Sequence, residues 1–180
     1  MKKLCIILPL ALILCFMVGC QDKEAMAELE EFRAQKAVEE QNMALVRSVF
    51  DGLNNQNEAV YEELYASEYG WYFPANNPKA LTRDEEAGFV KQLWAAFPDI
   101  RWDIADMVAS NYTVVVRFTV SGTHEGEYQG LPPTGNKWET GGFWMARIKD
   151  GKLAEVREEA DVLGWMQQLG MELKPKEGEK

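Results

Sequence analysis

Two short stretches hold the side chains best suited to chemistry. The first, SGTHEGEYQGLPPTG over residues 121–135, carries His124, the one histidine of the chain, between glycines and ahead of Pro132 and Pro133. Imidazole changes charge near neutral pH, so His124 could donate to a substrate or orient it. It could equally fasten its Gly-rich loop by bonding a backbone carbonyl. The second stretch, KLAEVREEAD over residues 152–161, alternates so that Glu155, Arg157, Glu159 and Asp161 share one strand face. Neighbours two apart on that face lie about 7 Å from one another and those four apart about 13 Å. Arg157 therefore pairs more readily with Glu155 or Glu159 than with Asp161. If this row lines a cavity, the wall is ionic and suits a polar ligand. Asp161 also stands immediately before a helical pattern, where aspartate is a favoured N-cap and needs no substrate. No residues have metal-ligand spacing, and Gly122, Gly126 and Gly130 are followed by neither a helix start nor a lysine that would cradle phosphate.

The elements that must position these residues change period midway along the chain. Residues 38–53 carry an amphipathic helical face at Val38, Leu45, Val46, Val49, Phe50 and Leu53, and NNQN ends it. EAVYEELYA reads as a short second helix and the following EYGWYFP as a short strand. In TRDEEAGFVKQLWAAF, Thr82 and Glu85 have capping-box spacing. Phe89, Val90, Leu93, Trp94 and Phe97 then make an apolar stripe that Pro98 stops. From Ile100 onward the pattern alternates, predicting strands over 100–108, 112–121, 137–149 and KLAEVREEA. Tyr112, Val114, Val116, Phe118 and Val120 share one face of the second of these. Trp138, Trp144, Ala146 and Ile148 share one face of the third, with Phe143 and Met145 opposite. Asp150 and Gly151 mark a hairpin, and DVLGWMQQLG a closing helix. Early helices followed by antiparallel strands predict an α+β layer fold, a curved sheet closed by helices around an apolar hollow.

Composition sets the compartment. Lys2 and Lys3 precede an apolar run of 17 residues, Leu4 to Cys20, that contains Pro9. This is a leader pattern. Gly19 before Cys20 resembles the bacterial lipobox, whose cysteine is acylated and becomes the first residue, although Met17 stands where leucine is usual. An uncleaved signal anchor is the rival reading, and both put the domain in the cell envelope, outside the cytoplasm. The organisation expected is a leader over 1–19, a lipidated Cys20 with a helical spacer over 20–37, a folded domain over 38–172 and a disordered tail over 173–180. Within the spacer, Met26, Leu29 and Phe32 recur at helical spacing, as a partner face or as part of a solvated helix. Cys5 and Cys15 leave with the leader, so the mature domain has no thiol for a disulfide, a metal or a nucleophile. Net charge is −10, and loss of Lys2 and Lys3 makes it −12. Nucleic acid is repelled by such a surface.

Four segments, AAFPDIRW, GTHEGEYQGLPPTGNKWE, RIKDGKLAE and DVLGWMQQLG, stand in an order and spacing that resembles the SnoaL-like polyketide cyclases, or ester cyclases, of the nuclear transport factor 2-like superfamily. The resemblance covers about residues 42–172. It implies a cone-shaped α+β barrel with a curved antiparallel sheet wrapped around N-terminal helices, often a homodimer through the sheet face. It also implies a small-molecule ligand and a cofactor-free, metal-free aldol closure or isomerisation. In the family an aspartate just before the last helix is the general acid/base, and that position here is Asp161. A carboxylate of ordinary pKa, about 3.9, abstracts a carbon-bound proton poorly unless burial raises it, so Asp161 is expected to be buried in the hollow. His124, Tyr72 and Trp144 are candidate donors to the enolate oxygen. Tyr72, Trp94, Phe118, Trp144, Arg157 and Glu159 are the candidate substrate contacts. Two positions depart from the family pattern: Tyr72 replaces a histidine commonly found shortly before proline, and Arg157 replaces a usual tryptophan.

Three classes of function follow. An enzyme needs Asp161 buried beside a donor, whereas a ligand-binding lipoprotein needs only the hollow. A protein-interaction module would use Trp102, Trp138 and Trp144 as anchors if they face outward.

Overall fold

The computed structural model describes residues 4–172 and 174, with side chains from residue 23 onward. The leader expected over 1–19, the acylated Cys20 and, apart from Lys174, the tail expected over 173–180 lie outside the residues whose side chains are described. The chain forms two compact units, Met1–Val38 and Glu39–Lys180. Helix α1 (Leu4–Asn54) runs through the first of these, where Met26, Leu29 and Phe32 are all exposed.

In the second unit α1 buries Val46, Val49, Phe50 and Leu53, the face read from its spacing. Its last residue, Asn54, uses its side-chain amide to donate to the carbonyl of Trp102 and accept from the N–H of Trp102, both at 2.8 Å. That pair fixes the helix end against a strand start. The short helix α2 (Ala59–Leu64) leads into strand β1 (Tyr65–Tyr72), which begins earlier than the sequence pattern suggested. Tyr65, Tyr69 and Trp71 are buried there, and burial of those rings outweighs the local helix preference. Helix α3 (Arg83–Ala96) starts on a complete capping box, with the Glu85 N–H donating to Thr82 Oγ1 at 3.3 Å and the Thr82 N–H to Glu85 Oε2 at 2.7 Å.

Strands β2 (Arg101–Ser110), β3 (Thr113–Thr123), β4 (Lys137–Lys149) and β5 (Lys152–Ala160) form an antiparallel meander, and helix α4 (Val162–Gln168) closes the chain. The sheet order is β1-β5-β4-β3-β2, with β1 parallel to β5. This one parallel pairing makes the sheet mixed. A parallel partner needs a long crossover, here α3 and three strands, which no local pattern announces. Val114, Val116, Phe118 and Val120 of β3, and Trp138, Trp144, Ala146 and Ile148 of β4, all point into the core, as their alternation predicts, whereas Tyr112, expected on the same face, lies in the turn before β3 and is exposed. Trp138 and Trp144 are therefore unavailable as anchors for a protein partner, and Trp102 is half-buried.

The loop between β3 and β4 folds back onto the end of α3. The N–H groups of Glu125 and Gly126 donate to the carbonyl of Ala96 at 3.0 and 2.9 Å. A Cβ at Gly126 would collide with the carbonyl of Ala95, so only glycine permits this approach.

Candidate active site

Two small adjoining chambers, each of about 60 Å³, lie between α3 and the inner face of the sheet. Both are lined by Trp71, Phe89, Leu93, Trp102, Phe118 and Glu158. The outer chamber reaches Asp161 and Val162, and the inner one ends at Phe50 and Glu86. The open hollow expected from the fold is thus mostly filled. Phe50 packs edge-on to Trp144 with ring centroids 5.0 Å apart, and Trp71 lies 5.4 Å from Phe89. Aromatic rings occupy the volume that a larger ligand would need.

Glu158 is the acid at the centre. Cross-strand register sets Trp144 of β4 opposite Glu158, while Trp71 of β1 pairs with Val156, two residues before it. Three neighbouring strands so bring two indoles to one carboxyl. The N–H of Trp71 donates to Glu158 Oε2 at 2.9 Å and that of Trp144 at 3.1 Å. Oε1 has no hydrogen-bond partner among the described residues, and the half-buried side chain lines both chambers. Burial pushes the Glu158 carboxyl up to about 7, against the two indole donors that favour its anion; the nearby Glu159 adds to the rise. Desolvation wins because no cation compensates it.

A second acid faces the inner chamber. Glu86 sits in the first turn of α3 with 4% of its surface exposed. Tyr65 donates to its Oε1 at 3.3 Å, and its Oε2 has no partner. Burial, with the charge of Glu158 as a lesser cause, pushes Glu86 up to about 8; the hydroxyls of Tyr69 and Tyr65 partly oppose this. Both acids are raised above the ordinary carboxylate range and face one chamber, so they titrate as a pair that retains a proton near neutral pH. Neither residue stood among those singled out from the sequence. A signal existed for each: Glu86 lies at i−3 and i−4 from Phe89 and Val90 on the apolar stripe, and Glu158 alternates with Val156 and Ala160 on an otherwise apolar row.

Of the residues read from the sequence, Phe118, Trp144 and Asp161 line the chambers and the others lie elsewhere. Asp161 was expected to be buried, and it is exposed. Its Oδ1 accepts from the Gly164 N–H at 2.8 Å, so it caps α4 at the border of the outer chamber. Of the two roles open to His124, contact with a substrate is not the one seen: it is fully buried and lines neither chamber. Its Nδ1 lies 3.1 Å from Thr134 Oγ1 and its ring packs 5.4 Å from Phe97, so it fastens the β3–β4 loop. Arg157 and Glu159 do not face the chambers. Arg157 bonds Glu155 at 3.0 Å, as its spacing suggested, and donates to the Ala75 carbonyl at 2.9 Å. Glu159 accepts from the Ala75 N–H at 3.0 Å. The Arg157 guanidinium also stacks 4.0 Å from the ring centre of Tyr72, which takes that ring out of the substrate wall. These outer-face residues clamp the loop after β1. Trp94 lines neither chamber and donates to the Leu53 carbonyl at 3.2 Å, joining α3 to α1. Phe118 lines both chambers and Trp144 the inner one. Among the described residues no group of three or more His, Cys, Asp or Glu is placed to hold a metal ion.

Residues 43–169, most of the chain, match the SnoaL-like polyketide cyclases. The chain belongs to that family. The SnoaL-like domain shares its fold with solved structures of several bacterial proteins. IdmH of Streptomyces antibioticus, described as a candidate polyketide cyclase, is 25% identical with a TM-score of 0.64, over 73% of this chain and 99% of that one. A candidate SnoaL-like polyketide cyclase of Jannaschia sp. is 21% identical with a TM-score of 0.66, over 76% and 96%. AclR of Streptomyces galilaeus, described as a candidate hydroxylase, is 22% identical with a TM-score of 0.66, over 75% and 89%. No curated protein is similar enough in sequence to serve as a relative. Hydroxylase and cyclase on one scaffold mean that the fold alone does not name a reaction, so the SnoaL-like domain must be read from its own acids.

Proposed function

We propose that the SnoaL-like domain binds a small uncharged carbonyl compound in the paired chambers and removes a proton α to the carbonyl with Glu158, without a cofactor. The observation that carries this reading is the Glu158 carboxyl, held by two indoles on Oε2, free on Oε1 and raised to about 7. A base poised near neutrality transfers protons most effectively at neutral pH. In the step, the α C–H bond breaks, the proton moves to Oε1 and the electron pair passes into the enolate. Return of the proton at another carbon isomerises the ligand, and attack of the enolate on a second carbonyl closes a ring. All charged residues lining the two chambers are acidic, which disfavours carboxylate or phosphate substrates.

Hydrogen–deuterium exchange at the α carbon of cyclohexanone, followed by proton NMR in deuterated buffer, tests the reading. The wild-type chain is expected to accelerate exchange, and Glu158→Gln to remove about 100-fold or more of that acceleration. Binding of the ketone with no faster exchange in the wild type would show a ligand carrier rather than an enzyme.

We also propose that Cys20 is lipid-anchored, with the domain in the cell envelope outside the cytoplasm. Support comes from the apolar run and the Gly19–Cys20 pair, and an intact mass lacking diacylglycerol on the membrane-extracted chain would sink it. A homodimer through the sheet is favoured by Val108, Val115 and Met145, adjacent in register on the outer face of β2, β3 and β4, with Val108 65% exposed. Light scattering that gives a monomer mass would exclude it.

A further inference from the structure

One row of residues runs along helix α1 with the spacing of a coiled-coil seam. Ala25, Leu29, Phe32 and Lys36 stand four, three and four residues apart, and the same alternation runs on to Val46, Phe50 and Leu53. In the second unit the row is covered, since Val46, Phe50 and Leu53 lie in the core. In the first unit it is bare: Leu29 is 39% and Phe32 56% exposed, with Met26 beside them at 52%. Large apolar side chains grouped on one face of an otherwise charged helix mark a surface made for a partner.

Charge decides what the partner is. Residues 23–38 carry four glutamates against Lys23, Arg33 and Lys36, whereas helices that lie in an anionic lipid surface are rich in lysine and arginine. A second copy of the helix fits better. Glu28 has no cation three or four residues away on its own helix, where Glu24, Ala25, Glu31 and Phe32 stand. Arg33 lies five residues after Glu28. Five is the step at which the residues flanking the seam meet across two parallel helices, so Glu28 of each copy faces Arg33 of the other. Lys36 takes a seam position, with its Nζ 5.8 Å from the centre of the Phe32 ring. One lysine in such a seam fixes register at some cost in stability. The pair need not nucleate its own helices, because α1 is helical from Leu4 to Asn54.

We propose that residues 23–38 of α1 form a parallel two-stranded coil with the same residues of a second copy of the chain, with Leu29 and Phe32 in the seam and Glu28 of each helix bonded to Arg33 of the other. This surface is distinct from the outer face of the sheet, and the proposal is independent of the acid/base reading.

Amine-reactive cross-linking of the full-length chain in dodecyl maltoside, followed by peptide mass spectrometry, tests it. Lys36 joined to Lys36 of an identical peptide can come only from two copies. The wild type is expected to give that product, and the double variant Leu29→Glu, Phe32→Glu to lower its yield about tenfold or more. Glu28→Arg or Arg33→Glu alone sets like charges together and should lower it about threefold, whereas the two combined exchange the charges and should restore it. All four positions are exposed, so urea unfolding of the domain should be unmoved in every variant. Val108→Glu, on the sheet face, should leave the Lys36 product in place. A dimer mass by light scattering without the Lys36 product in the wild type overturns the coil and leaves the sheet dimer standing. A monomer mass overturns both. A Lys36 product indifferent to Leu29→Glu, Phe32→Glu also overturns the coil, and failure of the charge exchange to restore the product overturns the parallel pairing of Glu28 with Arg33.

Discussion

Glu158 and Asp161 stand three residues apart, one on β5 and the other at the cap of α4, yet they meet opposite surroundings. Glu158 lies among indole and phenyl rings, where loss of water lifts its carboxyl to about 7. Asp161 is exposed and spends its Oδ1 on the Gly164 N–H. An acid suited to abstracting a carbon-bound proton must be desolvated but not neutralised by a cation, and only Glu158 meets that condition. Position in a family motif marks where a carboxylate occurs, whereas the packing around it decides what the carboxylate can do.

The largest effect separating the two acids is expected in turnover. With cyclohexanone exchange as the assay, Glu158→Gln should lose about 100-fold or more, and Asp161→Asn should stay within about threefold. The reverse order would restore Asp161 as the base.

Stability against pH comes next. The folded carboxyls of Glu86 and Glu158 sit at about 8 and about 7, above an ordinary value of 4.5. Between those values the folded chain holds protons that the unfolded chain has lost. Stability should therefore fall as pH rises from about 4.5 and level off above about 8, by a few kcal/mol in all. Urea unfolding from pH 5 to pH 9 reads this directly. Glu86→Gln should flatten much of the slope and Asp161→Asn should leave it in place; a stability that climbs with pH across the window would falsify the burial of these acids.

The smallest effect belongs to the cap. Asp161→Ala should lower unfolding free energy by about 1 kcal/mol, as loss of an N-cap does, with ketone binding retained.

Much of the scaffold was legible along the chain. The capping box at Thr82 and Glu85, the inward row of β3 and the inward row of β4 follow from spacing alone, because a helix or strand imposes its period on whatever it buries. The acids were harder to assign. The row Glu155, Arg157, Glu159 drew notice through its charge density, and it faces the loop at Ala75 rather than the chambers. Glu158 and Glu86 each look like a polar interruption of an apolar stripe, the place where a charged residue is least expected without a partner. His124 drew notice as the single histidine, and the Thr134 hydroxyl and the Phe97 ring make it part of the loop packing.

Amino-acid order by itself determined the α+β class, the inner faces of the strands, the capped start of α3 and the family, since these depend on periodicity and on short motifs. Only the tertiary structure decided which carboxyl loses its water, which one caps a helix and how little room the rings leave. Proton affinity and cavity volume depend on atoms brought together from β1, β4, β5, α1 and α3, and no local stretch of chain contains them all.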